Sequence, residues 1–220
     1  GLIVDIARRQ QALDDYLEVL GFVAHELKSP LAGARTQLTT IEDGYVGDVS
    51  EEMKRPLAAL RRALDYGLEV AQSFNQLSRA EGEEFKARII EIEDFATEIA
   101  QLAASAHETA AALRGMSISL EGEAKHVWGD PDLLRVVMNN LVGNAVKYGR
   151  EGGIIRITLQ HTANGHRIEV YNEGVGVAPE KFGGLFEKFY RVQDPATKAA
   201  RGTGVGLYLV RRFIELQGGT

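Results

Sequence analysis

Four short constellations in this chain carry side chains that could do chemistry, and the first centres on a histidine. In Phe22-Val23-Ala24-His25-Glu26-Leu27-Lys28-Ser29-Pro30-Leu31 an imidazole is followed directly by a carboxylate. A neutral imidazole is a good nucleophile near pH 7, and an adjacent carboxylate can fix its tautomer and take up the proton released on attack. By itself a His-Glu pair on an amphipathic helix is an ordinary solvated surface pair. The second constellation is Asn139-Asn140-Leu141-Val142-Gly143-Asn144-Ala145-Val146-Lys147-Tyr148. Asn140, Asn144, Lys147 and Tyr148 recur at i, i+4, i+7 and i+8, which places them on one face of a helix. Amide oxygens there can share a Mg²⁺ with phosphate oxygens and water, and Lys147 adds positive charge. Asn172-Glu173-Gly174-Val175-Gly176 and Gly202-Thr203-Gly204-Val205-Gly206-Leu207 complete the set. Glycines let a backbone approach a ligand closely, and the amides at a helix start suit phosphate. Between them lie Phe186 to Arg191 and a polar stretch from Gln193 to Arg201 that reads as a mobile lid over a site or as a solvated loop. The remaining histidines, His107, His126, His161 and His166, have no metal-ligand spacing and read as surface residues.

The elements that must position these residues follow from periodicity. Leu13, Leu17, Leu20, Ala24, Leu27, Leu31, Ala34, Leu38 and Ile41 alternate steps of four and three, the seam of a coiled coil or bundle. His25 falls one residue past the seam position Ala24, at the flank of such a bundle. Pro30 removes one helical amide and crowds the preceding turn, so a bend is expected beside the histidine. The helix stops at Asp43-Gly44; Ser50, Glu51 and Glu52 start a second one, whose stripe runs Leu57, Leu60, Leu64, Leu68, Ala71, Phe74, Leu77. Two such helices form an antiparallel hairpin that cannot cover its own apolar stripes. Pairing with a second copy through residues 1–80 would cover them in a four-helix bundle.

Ala80 to Glu84 ends that pattern, and a second architecture begins. Arg88 to Ile92 is β-like, Glu93 to Arg114 helical, and Met116 to Leu120 alternates as a strand. Asp130 and Pro131 start a helix running to about Tyr148. Ile154 to His161 and Arg167 to Tyr171 form a hairpin about Asn164-Gly165, and a last helix begins near Gly204. The expected fold is multidomain: an all-α helical hairpin over residues 1–82, then an α+β sandwich with helices on one face of a mixed sheet over residues 83–220.

Composition narrows the function. With 220 residues, 45% apolar and 25% charged, the chain can bury proper cores. A net charge of −6 argues against wholesale nucleic-acid binding, and the lack of cysteine excludes disulfides and thiolate metal sites. No stretch is apolar enough to span a bilayer, so no membrane contact is expected of this stretch and a cytoplasmic location is the default, with an upstream inner-membrane anchor left open.

In order and spacing, the His25 decapeptide, the asparagine-rich helix, the two glycine turns and the aromatic segment between them resemble the histidine, asparagine, glycine and phenylalanine boxes of the sensor histidine kinases, from about Leu13 to Gly219. The N-terminal half is similar to that family's dimerisation and phosphotransfer domain. The rest resembles its GHKL-type ATP-binding domain, shared with gyrase, Hsp90 and the mismatch-repair ATPases. The resemblance implies ATP and Mg²⁺ as cofactors, a homodimer, and the receiver domain of a response regulator as partner. It makes His25 the phosphoacceptor, Glu26 its proton acceptor, Asn144 the Mg²⁺ ligand with Asn140 assisting, and Lys147 and Arg191 phosphate contacts. Tyr148 and Phe189 would lie beside the nucleotide, and Asn172, Gly174 and Gly176 at the adenine pocket. Gly202, Thr203, Gly204, Val205, Gly206 and Leu207 would shape the lid hinge and phosphate end.

Three departures from the family pattern stand out. Ser29 occupies the place where a threonine or asparagine usually orients water for dephosphorylation of the regulator. Asn172 replaces the usual adenine-binding aspartate, keeping an acceptor oxygen without its charge. The sequence also stops at Thr220, where relatives usually continue into further strands, so the second domain is expected to be incomplete. These departures sustain a rival reading, a catalytically silent or phosphatase-biased adaptor. A third reading, an ATP-driven clamp, would need a carboxylate at Asn140.

Overall fold

The computed structural model describes residues 2–81, 86–192 and 202–220, with the side chains of 2–18, 20 and 81 outside that description. The linker residues 82–84 and the candidate lid from Gln193 to Arg201 lie outside the described residues. Packing divides the chain into two compact units, the first built from the N-terminal helices and the second beginning at Lys86.

The first unit is a hairpin of α1 (Leu2–Glu42) and α2 (Glu51–Glu81). α1 starts well before Leu13 and is continuous through Pro30. Its antiparallel register is legible in side-chain pairs: Glu42 with Arg61, Arg35 Nε with Asp65 Oδ1 at 2.9 Å, Leu31 against Gly67, and Gly21 against Ser78. As the number rises on one helix it falls on the other. Exposed ion pairs of this kind are worth about 1 kcal/mol or less, so they select register more than they stabilise. The stripes are only partly covered: Ala24, Leu38, Leu57 and Ala71 are buried, while Leu27 and Leu60 are each 50% exposed, and beside them Val19 and Phe22 are exposed too.

The second unit contains β1 (Ile90–Asp94), α3 (Gln101–Ala112), β2 (Ser117–Gly122), β3 (Lys125–Gly129), α4 (Pro131–Tyr148), β4 (Ile154–Thr162), β5 (Gly165–Asn172) and α5 (Gly206–Glu215). A π-helical turn, Ala96–Ala100, leads into α3. β2 runs parallel to β4, β4 is antiparallel to β5, and β1 with β3 forms a separate antiparallel pair. The strands thus form two sheets rather than one. β1 lies two residues later than its composition suggests, because Ile92 faces the core while Asp94 still pairs with Lys125 of β3. The β4–β5 turn is centred on Ala163 and Asn164, with Gly165 already paired to Thr162.

Ile155, Ile157 and Leu159 alternate inward along β4 and are essentially fully buried. Against them pack Phe95, Ile99 and Ala103 from the α3 side, and Leu134, Met138 and Val142 from α4. Ala145, Val146, Met116 and Ala111 continue this core toward the far end of α4. With those positions committed to the interior, Asn140, Asn144, Lys147 and Tyr148 are turned away from it.

The start of α4 is fixed by a buried carboxylate. Asp130 Oδ1 accepts from the amides of Asp132 and Leu133, at 3.0 and 3.3 Å, which are orphan donors of a first helical turn. Its Oδ2 accepts from the Arg88 amide at 2.7 Å. The Asp130 amide donates to Gln217 Oε1 at 2.7 Å, and Gln217 Nε2 donates to the Phe213 carbonyl, so the end of α5 is tied to the start of α4. Asp130→Ala removes the cap and strands the Arg88 amide, and should cost about 2 kcal/mol. Asp130→Asn retains an acceptor and should cost less; chemical denaturation of both variants checks the order.

Candidate functional site

The polar face of α4 exists because neighbouring chemistry holds it open. Asn140 donates from Nδ2 to the Val136 carbonyl one turn back at 2.8 Å, which orients its amide and leaves Oδ1 as an acceptor. That oxygen lies 2.5 Å from where a Cβ on Gly206 would stand, so a side chain at the start of α5 would have to displace the Asn140 amide. Asn144, one turn further, is partly exposed and makes no side-chain hydrogen bond among the described residues. Lys147 and Tyr148 close the face, with the ammonium 5.9 Å from the phenol ring centroid. Asn139, by contrast, turns its amide back to the Arg135 carbonyl at 2.9 Å and lies off this face.

The glycine turn after β5 meets the end of α4 directly. Gly149 and Gly174 form an isolated antiparallel bridge. A Cβ on Gly174 would come within 2.6 Å of the Tyr148 carbonyl and 2.9 Å of Asn172 Nδ2, so glycine is a packing requirement there. Glu173 locks the same junction. Its backbone oxygen accepts from the Arg150 amide at 2.6 Å and its backbone amide donates to Ile154 O at 3.1 Å. Its carboxylate takes Arg150 Nη2 at 2.7 Å and the Ile154 amide at 3.3 Å, and these donors hold its pKa below the usual value. Asn172 is thereby placed at the end of β5, beside the last turn of α4.

At the other side of α4 the aromatic segment folds against the start of α5. Gly204 has φ +72°, and a Cβ there would meet the Phe189 carbonyl carbon at 2.7 Å and the Tyr190 oxygen at 2.9 Å. Phe189 itself adopts φ +65°, a left-handed conformation that costs a bulky residue energy and clusters at functional sites. Lys188 Nζ lies 5.0 Å from the Tyr208 ring centroid, which couples the same segment to α5. Val205 is fully buried and Leu207 partly so, which anchors the turn. Arg191 is exposed at the end of this segment. Gly204 to Leu207 lie in the same compact unit as α4.

In the first unit His25 is open to solvent, with its side chain 73% exposed, and its Nδ1 lies 3.4 Å from Glu26 Oε1. Ser29 and Pro30 are exposed on the same stretch of helix.

Two residues of the second unit escape a reading by motif. Arg114, at the end of α3, donates from Nη1 to the carbonyls of Val146 and Lys147 and from Nη2 to that of Gly149, the last two at 3.1 and 2.9 Å. His107 is not a free surface residue: its ring edge would stand 3.1 Å from a Cβ on Gly143, so it packs on the back of α4. Burial lowers its pKa, opposed by hydrogen bonding to Asn139. The local signals, an arginine beside a helix-ending glycine and a histidine on an alanine-rich helix, reveal neither partner.

Comparison with known proteins places this geometry. Residues 129–220 match the family model described as histidine kinase-, DNA gyrase B- and HSP90-like ATPase. Over 98% of its length the chain is 29% identical to the sensor protein kinase PmrB of Pseudomonas aeruginosa, covering 44% of that protein. It is 29% identical to the sensor protein SrrB of Staphylococcus aureus over 90% of the chain, covering 34% of that relative. The chain therefore spans less than half the length of these curated relatives. Among solved structures, full-length ShkA in complex with AMPPNP superposes with a TM-score of 0.68 at 24% identity, over 92% of this chain and 42% of that one. The Acinetobacter baumannii histidine kinase AdeS gives 0.57 at 22% identity, over 87% and 86%. These structural likenesses establish the fold. Together with the sequence matches they show the resemblance to sensor histidine kinases, with a GHKL-type ATPase domain at the C-terminal end. No helix of the described residues is long and apolar enough to cross a membrane.

The His107 environment predicts a pH dependence. The native pKa lies below the ordinary 6.5, so the unfolded chain binds the proton first as pH falls. This contribution to stability is intact above 6.5 and is lost as pH drops from there toward the native value. Replacing His107 with Gln should flatten that part of the stability–pH curve, measured by urea unfolding at closely spaced pH values.

Proposed function

We propose that the chain is the catalytic core of a sensor histidine kinase: it transfers the γ-phosphoryl group of ATP to His25 and then to an aspartate on the receiver domain of a response regulator. The observation that carries this reading is His25 itself. With Glu26 at its Nδ1 side, the Nδ1 proton is directed to a carboxylate and the Nε2 lone pair is left to open solvent. In the reaction Nε2 forms the bond to the γ-phosphorus, the bond to the bridging oxygen breaks, ADP departs, and Glu26 accepts the imidazole proton.

On the nucleotide side, the α4 face supplies the right donor chemistry for Mg²⁺. Asn144 makes no side-chain hydrogen bond among the described residues, and Asn140 is oriented to present Oδ1. When bound, the ion would neutralise phosphate charge. Lys147 and Arg191 would contact phosphates, Tyr148 and Phe189 would flank the nucleotide, and Asn172, Gly174 and Gly176 would border the adenine. Gly202 to Leu207 would form the hinge and phosphate end. AMPPNP in the ShkA structure supports a nucleotide role for this fold. Residues 1–82 would be the dimerisation and phosphotransfer domain, and the exposed Phe22, Leu27 and Leu60 support a homodimer closing a four-helix bundle in the cytoplasm. Ser29 would orient water if the core also dephosphorylates its regulator. An ATP-hydrolysing clamp is disfavoured because Asn140, an amide donating to Val136, has no basic oxygen to activate water. Asn172 and Ser29 favour the second reading, a silent or phosphatase-biased adaptor, to the extent that they depart from the family pattern.

Incubation with γ-labelled ATP and Mg²⁺ decides between them. The kinase reading predicts acid-labile, alkali-stable label that is lost in His25→Gln and strongly reduced in Glu26→Gln. Nucleotide binding without label would support the adaptor instead.

A further inference from the structure

The C-terminal end of α4 is held by a side chain from outside the helix, and the hold has a consequence for the nucleotide. A helix leaves its last carbonyls without partners, and a cation near that terminus also meets the negative end of the helix dipole. Here the Arg114 guanidinium takes the carbonyls of Val146, Lys147 and Gly149, using Nη1 for the first two and Nη2 for the third. Fixing those peptide planes fixes the directions in which Lys147 and Tyr148 project. The anchor is itself anchored: the Arg114 carbonyl accepts from the Gly152 amide at 3.0 Å, and the Ser117 amide donates to Gly153 O at 3.3 Å. The α3–β2 turn is thus laced to the α4–β4 turn. From the opposite side Arg150 and Glu173 tie the same segment to the turn that carries Asn172 and Gly174.

We propose that Arg114 is a positioning residue for nucleotide binding: it clamps the end of α4 so that Lys147, Tyr148 and the Asn172–Gly174 turn keep a binding-competent arrangement. The inference rests on the nucleotide reading of the α4 face. Arg114 need not touch the ligand; it acts through the three carbonyls. One feature makes arginine specific for this. Its planar fork presents separate nitrogens at a fixed spacing, whereas a lysine ammonium is one point with no such spacing. A lysine would still supply charge to the helix end, so it separates the clamp from the charge–dipole term.

The test uses the whole 220-residue chain as wild type, Arg114→Lys and Arg114→Ala. Readouts are affinity for a fluorescent ATP analogue with Mg²⁺, KM and kcat for ATP in His25 labelling, and melting temperature. The clamp predicts a rise of about tenfold in Kd and KM for Arg114→Ala, the scale of losing charge-assisted hydrogen bonds. Arg114→Lys should melt close to wild type yet show a several-fold higher KM, with kcat at saturating ATP little changed, because the clamp acts on ground-state and transition-state binding alike. A folded Arg114→Lys chain with wild-type Kd and KM would overturn the proposal, even if Arg114→Ala failed to fold. So would a fall in kcat at unchanged KM. If the wild-type chain bound no analogue, the nucleotide reading would fail and this inference with it; normal binding by the wild type and both variants would refute the inference alone.

Discussion

The second unit depends on one close approach, between the end of α4 and the turn that follows β5. Gly149 bridges to Gly174, and there is room for this only because Gly174 has no Cβ to meet the Tyr148 carbonyl 2.6 Å away. The pairing ends the β4–β5 sheet on the helix rather than in solvent. It also decides what α4 can present, since the helix cannot roll without breaking the bridge, the Arg114 bonds or the Arg150–Glu173 pair. With Met138, Val142, Ala145 and Val146 committed to the core on the other side, Asn140, Asn144 and Lys147 are left partly exposed.

That arrangement bears on which chemistry the site can support. A water-activating base on α4 would have to be a carboxylate, and the candidate position holds Asn140, whose amide is engaged with Val136 and packed under Gly206. On the proposed reading, what remains is a face of amide oxygens and the Lys147 ammonium, which would suit gripping a nucleotide and its metal rather than hydrolysing it. The nucleophile is then sought in the other unit, where His25 and Glu26 form an exposed pair on a helix long enough to serve as a docking surface. Phosphoryl transfer asks a protein mainly for positioning and charge, which is what rigid helices and turns supply.

Much of this was legible in the sequence because its signals are local. Asp130-Pro131 marks the start of α4, and the observed cap uses that aspartate. The spacing of Asn140, Asn144 and Lys147 reports their shared face, since a helix repeats every 3.6 residues whatever surrounds it. What escaped was long-range. β3 carries only Val127 and Gly129 inward and leaves Trp128 exposed, so Lys125–Gly129 has no alternation strong enough to announce a strand. The shift of β1 depends on pairing with that unseen strand. Arg114 and His107 each act on α4 across more than thirty residues of chain, and neither contact leaves a trace in the spacing.

The account turns on the polar face of α4 being a nucleotide site, and backbone amide mapping by NMR on titration with a non-hydrolysable ATP analogue and Mg²⁺ tests this directly. The largest perturbations should fall on Asn140 to Gly149, Asn172 to Gly176 and Gly204 to Leu207, with β1 and β3 unaffected. Saturable perturbations confined to other surfaces, or none at millimolar analogue, would contradict it.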